Sequence, residues 1–271
     1  MKIGFIGGGN MASALIAGLA GKLAAGADIH VVDPNAEALA RLKAQHGVST
    51  SGAIDGALAA CDAIVLAVKP QQMREVAAAL LPQLTGAPLI LSIAAGIRAA
   101  DLSRWLGGCG AIVRTMPNTP ALIGLGITGM VATAGVSDAQ KAAADAIMRA
   151  VGQTVWLDGE EMIDPVTAVS GSGPAYVFYF IEAMQQAAEE MGLSAEQGKQ
   201  LALATFTGAA QLAAQSDEAV SVLRERVTSK GGTTYAALSS MEASGVKEKV
   251  VAAIKAAAVR GKELGDELGA G

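Results

Sequence analysis

The feature that most constrains the fold is a change of pattern near residue 158. Before it, short apolar runs typical of strands alternate with stretches of helical periodicity. The predicted strands are Lys2–Ile6, Asp28–Val32, Ala63–Val68, Leu89–Ile93, Ala111–Arg114, Ile127–Thr133 and Thr154–Leu157. The predicted helices are Met11–Leu23, Ala36–Gln45, Gln71–Leu81, Ala99–Leu106 and Asp138–Ala150. Such alternation favours βαβ units and a mostly parallel sheet with helices on both faces.

After this point the sequence predicts helices without strands. They are Ala175–Met191, Ala195–Ala214, Ala219–Val227, Thr234–Glu242 and Lys247–Leu264. We therefore predict an α/β domain over residues 1–158 and an all-helical domain over residues 159–271. Small apolar residues surround much of each C-terminal helix, which indicates a subunit interface.

Composition excludes several classes of function. The chain has 271 residues, of which 52% are hydrophobic and 17% charged, so it has enough apolar residues for a sizeable core. The net charge of −5 argues against nucleic-acid binding, which needs a basic face. Two cysteines, Cys61 and Cys109, make a disulfide framework improbable and favour the cytoplasm. No Cys/His cluster has the spacing of metal ligands.

Two neutral stretches are poor membrane or export segments. Gly7 to Gly9 would break the apolar helix of a signal peptide, and Lys22 interrupts its tail. The uncharged segment from Thr115 to Ser137 contains two prolines and several glycines, so it suits strands and turns better than a membrane helix. We expect no membrane partner.

The first glycine-rich loop indicates a dinucleotide site. Gly7-Gly8-Gly9-Asn10-Met11-Ala12 fits the pattern G-x-G-x-x-G/A between a predicted strand and a predicted helix. Gly7 permits the tight turn, and Gly9 lets the backbone approach a pyrophosphate. Asp33 ends the second strand, about 20 residues on, where it can accept hydrogen bonds from the adenine ribose. The alternative is a turn without a ligand, with Asp33 as a helix cap.

Three further strand ends are expected above the same crevice. They are Ala67-Val68-Lys69-Pro70, the stretch Ser92-Ile93-Ala94-Ala95-Gly96, and the stretch Met116-Pro117-Asn118-Thr119-Pro120. Ligands of open α/β sheets bind at the carboxyl ends of strands, and small residues there let a nicotinamide ring approach. Each proline taken alone could simply end a strand.

A second glycine-rich loop lies near the other end of the chain, in the stretch Val-Thr-Ser-Lys-Gly-Gly-Thr-Thr-Tyr from Val227 to Tyr235. Backbone N–H groups that turn through two glycines into a helix form a pocket for an anion. An ordinary Gly-Thr helix cap explains the same residues equally well.

Common catalytic groups are missing. The only histidines are His30, inside a predicted strand, and His46, at a helix end, so both are expected to be structural. A nucleophile elbow needs a glycine two residues before its serine, and neither Ser170 nor Ser172 has one.

The residues resemble the pyrroline-5-carboxylate reductase family from end to end. The matching stretches are Phe5–Met11, Ala67–Pro70, Ser92–Gly96, Met116–Pro120, Ser170–Ala175 and Val227–Thr234. The last two are the most specific, because other Rossmann enzymes lack them.

This resemblance implies a Rossmann-type dinucleotide-binding domain and a helical dimerisation domain, in homodimers that often assemble further into decamers. It implies reduction of 1-pyrroline-5-carboxylate, a cyclic imino acid, to L-proline with NADP or NAD in the reduced form as hydride donor. It assigns the substrate carboxylate to Ser229, Gly231, Gly232, Thr233 and Thr234, with Thr234 assisting protonation of the ring nitrogen.

Two residues depart from the family pattern. Lys230 stands where the family usually has proline in T-S-P-G-G, which bears on the rigidity and charge of the loop. Ile54 stands where many relatives have an asparagine that contacts the adenosine ribose. The family commonly uses NADPH, whereas Asp33 should repel a 2′-phosphate, so we predict use of both cofactors.

Two other functions fit the fold. A hydroxy-acid dehydrogenase would need an acid/base group, for which Lys69 is the only nearby candidate in the sequence. A dinucleotide-sensing protein would bind the cofactor without turnover. Cofactor oxidation that depends on an added cyclic imine separates all three.

Overall fold

The computed structural model describes residues 1–269. Its strands are β1 (Ile3–Ile6), β2 (Ile29–Val32), β3 (Ser49–Ser51), β4 (Ala63–Leu66), β5 (Leu89–Ser92), β6 (Ile112–Met116), β7 (Gly126–Ala132) and β8 (Gly152–Trp156). Its helices are α1 (Asn10–Leu19), α2 (Ala36–His46), α3 (Met73–Leu80), α4 (Ala99–Trp105), α5 (Asp138–Arg149), α6 (Ile163–Val166), α7 (Gly173–Glu190), α8 (Ala195–Ala214), α9 (Val220–Arg226), α10 (Thr233–Ala243) and α11 (Val246–Gly269).

The eight strands form one sheet in the order β3-β2-β1-β4-β5-β6-β7-β8. All neighbouring pairs are parallel except β6 and β7, which are antiparallel. The chain leaves β1 toward β2 on one side and returns to β4 on the other, so the strand order reverses between β1 and β4. This is the arrangement of a Rossmann-type sheet, whose ligands bind at that switch point.

The sheet is covered on both faces. One apolar cluster joins Phe5 and Val65 to helix residues such as Leu15 and Ile147. The other joins Ile64 and Ile90 to helix residues such as Met73. Adjacent residues of each strand therefore enter different cores, which explains why the central strands are apolar throughout.

The chain divides into two compact units. Residues 1–172 and the described residues from Ala256 to Gly269 form the first unit; residues 173–255 form the second, which we call the helical unit. The helical unit has few buried side chains: in α7 only Ile181 and Ala188 are buried, and α9 and α10 have no buried residue.

Beyond shifts of one or two residues, four features differ from the sequence prediction. Helix α1 ends at Leu19 rather than at Leu23. The short strand β3 was missed, because Ser49–Ser51 has neither apolar residues nor alternation. The segment from Ile163 to Gly171 forms a short helix followed by a π-helical turn, where no element was predicted. The last helix extends to Gly269 rather than ending at Leu264.

Candidate active site

Gly7 lies at the turn that leaves β1. Its φ is +103°, and a Cβ atom there would lie 2.5 Å from the carbonyl oxygen of Ala67. Its N–H donates to the Val32 carbonyl at 2.8 Å. The loop after β1 is thus held against the loop after β4, and a side chain is excluded for two independent reasons.

Gly9 is the N-cap of α1 and has an ordinary φ of −70°. Apart from its two chain neighbours, no atom of the described residues lies within 4 Å of a Cβ built on it. Within the same described part, α1 has no side-chain cap and no acidic residue in its first turn. Its first backbone N–H groups therefore face open space beside Gly9, which fits the pyrophosphate of a dinucleotide.

Asp33 organises the loop directly. Its carboxylate accepts hydrogen bonds from the Gly8 N–H at 2.6 Å and from the Asn35 N–H at 2.7 Å. One lone pair of each oxygen is therefore already used by the protein, and the others remain for a ribose hydroxyl.

A groove of about 300 Å³ runs from this loop along α2. It is lined by Gly8, Gly9, Asn10, Asp33, Asn35, Glu37, Ala38 and Arg41. Arg41 is the only cation in that lining, and the nucleotide motif that ends at Asp33 does not predict it. Helical periodicity could have indicated that Arg41 lines the groove, because Ala38 and Arg41 are one turn apart on the same face of α2.

The other predicted cofactor residues come together at the same edge. Leu66 pairs with Ser92 in the β4–β5 register, and the Ile93 N–H donates to the Leu66 carbonyl at 3.2 Å. The loop with Val68, Lys69 and Pro70 therefore leaves the sheet beside the loop with Ala94 and Ala95. The small side chains of Ala94 and Ala95 leave room for a flat ring.

Asn118 follows β6 at this edge. Its side-chain oxygen accepts from the Ile127 N–H at 3.0 Å, which fixes the start of β7. Met11, the remaining predicted cofactor residue, packs with its side chain against the first apolar cluster. Met11 therefore has its side chain in the core, and what it can present to a cofactor is its backbone N–H.

The second glycine-rich loop leads into α10. Gly231 has a φ of +74°, and the Gly232 N–H donates to the Ser229 carbonyl at 3.0 Å. Gly232 is the N-cap of α10, so Thr233 and Thr234 occupy its first two helical positions. In the described chain this helix has no side-chain cap and no acidic residue in its first turn.

The exposed N–H groups and the positive end of the α10 dipole therefore favour an anion at this loop. Thr234 is half-buried, whereas Ser229, Gly231 and Thr233 are exposed. Lys230 is also exposed, so the lysine adds a positive charge beside the anion pocket without burial.

The residues expected to be structural have structural partners. His30 Nδ1 lies 2.9 Å from Ser49 Oγ, and its Nε2 lies 3.3 Å from Asp55. Burial raises the pKa of the Cys61 thiol, and neighbouring Asp62 adds to the effect, which argues against a reactive thiolate. Both cysteines are free. Ile54 packs against the second apolar cluster, which explains an apolar residue there.

The described residues contain neither a metal site nor a membrane-spanning helix. No group of His, Cys, Asp or Glu among residues 1–269 is arranged to hold a metal ion. Within the same range, no helix is both long enough and apolar enough to cross a membrane.

Comparison with known proteins decides the family. A family model described as "Pyrroline-5-carboxylate reductase dimerisation" matches residues 160–264, and one described as "NADP oxidoreductase coenzyme F420-dependent" matches residues 2–96. The pyrroline-5-carboxylate reductase of Pseudomonas aeruginosa is 47% identical over 268 residues, which cover 99% of this chain and 98% of that protein. The chain belongs to the pyrroline-5-carboxylate reductase family.

Solved structures of the family agree. A pyrroline-5-carboxylate reductase from Coxiella burnetii matches with a TM-score of 0.91 and 40% identity, over 97% of this chain and 98% of that one. The Plasmodium falciparum pyrroline carboxylate reductase, solved with NADP bound, matches with a TM-score of 0.86 and 32% identity over 98% of both chains. The fold expected from the resemblance, a Rossmann-type domain with a helical dimerisation domain, is confirmed.

Proposed function

We propose that this member of the pyrroline-5-carboxylate reductase family holds its substrate carboxylate at the loop from Ser229 to Thr234. The chain is an oxidoreductase that reduces 1-pyrroline-5-carboxylate to L-proline with NAD(P)H, as its membership of the family shows. The observation that carries the substrate assignment is the uncapped start of α10 behind a glycine of positive φ. Backbone N–H groups placed in this way bind a carboxylate without needing a basic side chain.

The residues of the first unit fit the cofactor. Gly9 leaves open space at the start of α1 for a pyrophosphate, and Asp33 retains lone pairs for ribose hydroxyls. When bound, the reduced nicotinamide supplies the hydride. We assign the cofactor to Gly7, Gly8, Gly9, Asn10, Met11, Asp33, Ala67, Val68, Lys69, Pro70, Ala94, Ala95 and Asn118.

The chemistry of the substrate explains the missing histidine. Reduction of a C=N bond adds a hydride to carbon and a proton to nitrogen. A protonated imine is already a good hydride acceptor, so the protein needs to orient it rather than to supply a strong acid. We assign the Thr234 hydroxyl to the ring nitrogen: it donates a hydrogen bond to the neutral imine nitrogen during proton delivery, and it accepts one from the N–H once the imine is protonated.

We propose that the chain works in the cytoplasm as a homodimer, with decamers as a further assembly. The family match includes a dimerisation domain over residues 160–264, so the chain forms homo-oligomers. Two free thiols and a net charge of −5 support a reducing compartment without nucleic-acid partners.

The deciding experiment measures what the cofactor oxidation depends on. In one assay, purified protein and NADPH or NADH are mixed with 1-pyrroline-5-carboxylate or with buffer alone. In a second assay, the protein is mixed with a 2-hydroxy acid and the oxidised cofactor. We expect oxidation of the reduced cofactor only with the cyclic imine, and L-proline as the product. Turnover with the hydroxy acid would support the dehydrogenase instead. Cofactor binding without turnover on any substrate would leave a sensing role.

A further inference from the structure

The loop between β5 and α4, Ala94 to Arg98, is held in place by groups that belong to neither of its flanking elements. It contains Ala94 and Ala95, which we assign to the cofactor, and Gly96 with a φ of +75°. Three separate contacts fix its shape.

The first contact comes from the last turns of α11. A Cβ atom built on Gly265 would lie 3.3 Å from the Gly96 carbonyl oxygen and 3.3 Å from Arg98 Nη2. A Cβ atom built on Gly96 would lie 3.1 Å from Leu268 Cδ1. Helix and loop therefore approach through two glycines, and Leu268 packs against the second apolar cluster. No larger residue fits at Gly265 without moving the loop or the helix.

The second contact is an ion pair across the same approach. Arg98 Nη2 lies 2.5 Å from Asp266 Oδ1. The side chains are 39% and 59% exposed, so the pair adds little to global stability. The hydrogen bond to Asp266 raises the pKa of Arg98, and the nearby carboxylates Asp101 and Asp164 act in the same direction. The pair ties the end of the loop to α11.

The third contact caps the helix that follows. Arg98 is the N-cap of α4 and makes no side-chain cap within the described chain. Instead, Glu160 Oε1 accepts from the Ala99 N–H at 2.7 Å and from Arg114 Nη1 at 3.0 Å. Arg114 is buried in β6, so Glu160 joins the start of α4 to the centre of the sheet.

We infer that Gly265 and the Arg98–Asp266 pair are positioning residues for the cofactor, acting through the loop from Ala94 to Gly96. This inference rests on the proposed function, because it takes that loop to be part of the cofactor site. A loop displaced by about 1 Å at a reacting ligand costs on the order of a hundredfold in rate. The C-terminal end of α11 is therefore part of the support of the active site.

Two variants test this, each with a control on the same helix. Gly265→Val places bulk against the Gly96 carbonyl, and its control is Gly261→Ala, whose new Cβ would make an ordinary contact of 3.5 Å with Asp164. Asp266→Asn removes the ion pair, and its control is Arg260→Ala, which removes only the exposed pairs to Glu263 and Glu267 within α11.

The readouts are the Kd of NADPH by fluorescence, steady-state kcat and KM, and the Tm. We expect Gly265→Val to lower kcat/KM for NADPH about tenfold or more. We expect Asp266→Asn to raise the Kd and KM of NADPH about two- to fivefold and to leave the Tm unchanged. Both controls should match the wild type. The double variant Arg98→Asp with Asp266→Arg should bind NADPH more tightly than Arg98→Asp alone.

Wild-type Kd and kcat/KM in both test variants would overturn the inference, as would equal losses in the controls. If Gly265→Val fails to fold, the Asp266→Asn and charge-exchange arms decide. If the wild type shows no imine-dependent oxidation, the proposed function fails, and the NADPH Kd still decides the positioning role.

Discussion

Two glycines of one loop have different physical roles. At Gly7 the protein itself excludes a side chain, because a Cβ atom would meet the Ala67 carbonyl and because φ is +103°. A Cβ atom on Gly9 would meet no described atom within 4 Å other than those of its chain neighbours, and its φ is ordinary, so only a ligand can make a side chain there costly.

We therefore expect opposite outcomes for two alanine variants. Gly7→Ala should lose roughly 1–3 kcal/mol of stability, because a non-glycine residue is strained at this φ. Gly9→Ala should keep the wild-type Tm and weaken NADPH binding. Thermal melts and fluorescence titrations measure both. A Gly9→Ala protein with wild-type NADPH affinity would refute the assignment of the pyrophosphate to this loop.

We propose that opposing charges in the groove along α2 set the choice between NADH and NADPH. Asp33 and Glu37 disfavour a 2′-phosphate, whereas Arg41 in the same lining favours it. We expect both cofactors to be used. Arg41→Ala should lower kcat/KM for NADPH about tenfold, which is the lower end of the cost of losing a hydrogen bond to a charged group, and should change kcat/KM for NADH little. Lys43→Ala, on the same helix but outside the groove lining, is the control. A wild-type preference for NADPH above roughly a hundredfold would contradict the inference from Asp33.

Among the elements, the edge strand β8 is joined to α5 through a single carboxylate. Asp145 of α5 accepts from Thr154 Oγ1 at 2.7 Å and from Trp156 Nε1 at 3.1 Å, and pairs with Arg149. Burial alone would raise the pKa of Asp145, but these donors outweigh it and lower the pKa below the ordinary value of 3.8. The lowered pKa means that the charged form stabilises the fold above that ordinary value, and that this contribution is lost as pH falls through the lower folded value.

We expect Asp145→Ala to lower the free energy of unfolding by about 1 kcal/mol at pH 7, the low end of the cost of unpairing donors, because Thr154 and Trp156 are only partly buried. The difference from wild type should shrink as pH falls from 4 toward 2, because the wild-type carboxylate is protonated there. Urea unfolding across this range measures it. A difference that stays constant with pH would show that the charge of Asp145 contributes nothing.

The features that sequence predicts well are those with a strong local pattern. The central strands were found because both their faces are apolar, and the glycine loops because their turn chemistry is specific. The short strand β3 is polar and is held by pairing with β2, which no local pattern reveals. Gly265 was missed for a related reason: its role depends on which residues of a distant element face it. Arg41 was missed because the nucleotide motif around Asp33 does not extend to it, although helical spacing places it in the same groove.

For the whole molecule, the helical unit cannot bury its own apolar surface. Phe178 and Tyr179 of α7 are 60% and 70% exposed in a single chain. Aromatic residues of this size contribute about 1.5–3 kcal/mol when buried, so a second copy of the chain gains much by covering them. This agrees with the dimerisation domain that the family match identifies.

We expect Phe178→Glu to weaken the dimer by one to two decades in Kd, since it replaces about 1.5–3 kcal/mol of burial by a charge. Gln186→Glu adds the same charge at an exposed polar site of α7 and serves as the control. Sedimentation at several protein concentrations measures both. Dimerisation of Phe178→Glu at wild-type concentrations would place the interface elsewhere.

The central claim is that the start of α10 binds and orients the imine. Imine-dependent NADPH oxidation and NADPH binding are measured for the wild type, Thr234→Ala and Thr234→Ser. The control is Ser239→Ala, which changes an exposed residue of the same helix. We predict that Thr234→Ala lowers kcat/KM for the imine by about one to two decades, the cost of one hydrogen bond to a charged group, with unchanged NADPH affinity. Thr234→Ser should recover most of the loss, and Gly232→Val should exceed it. Wild-type kcat/KM in Thr234→Ala, together with a lower Tm, would mean that this threonine only starts a helix.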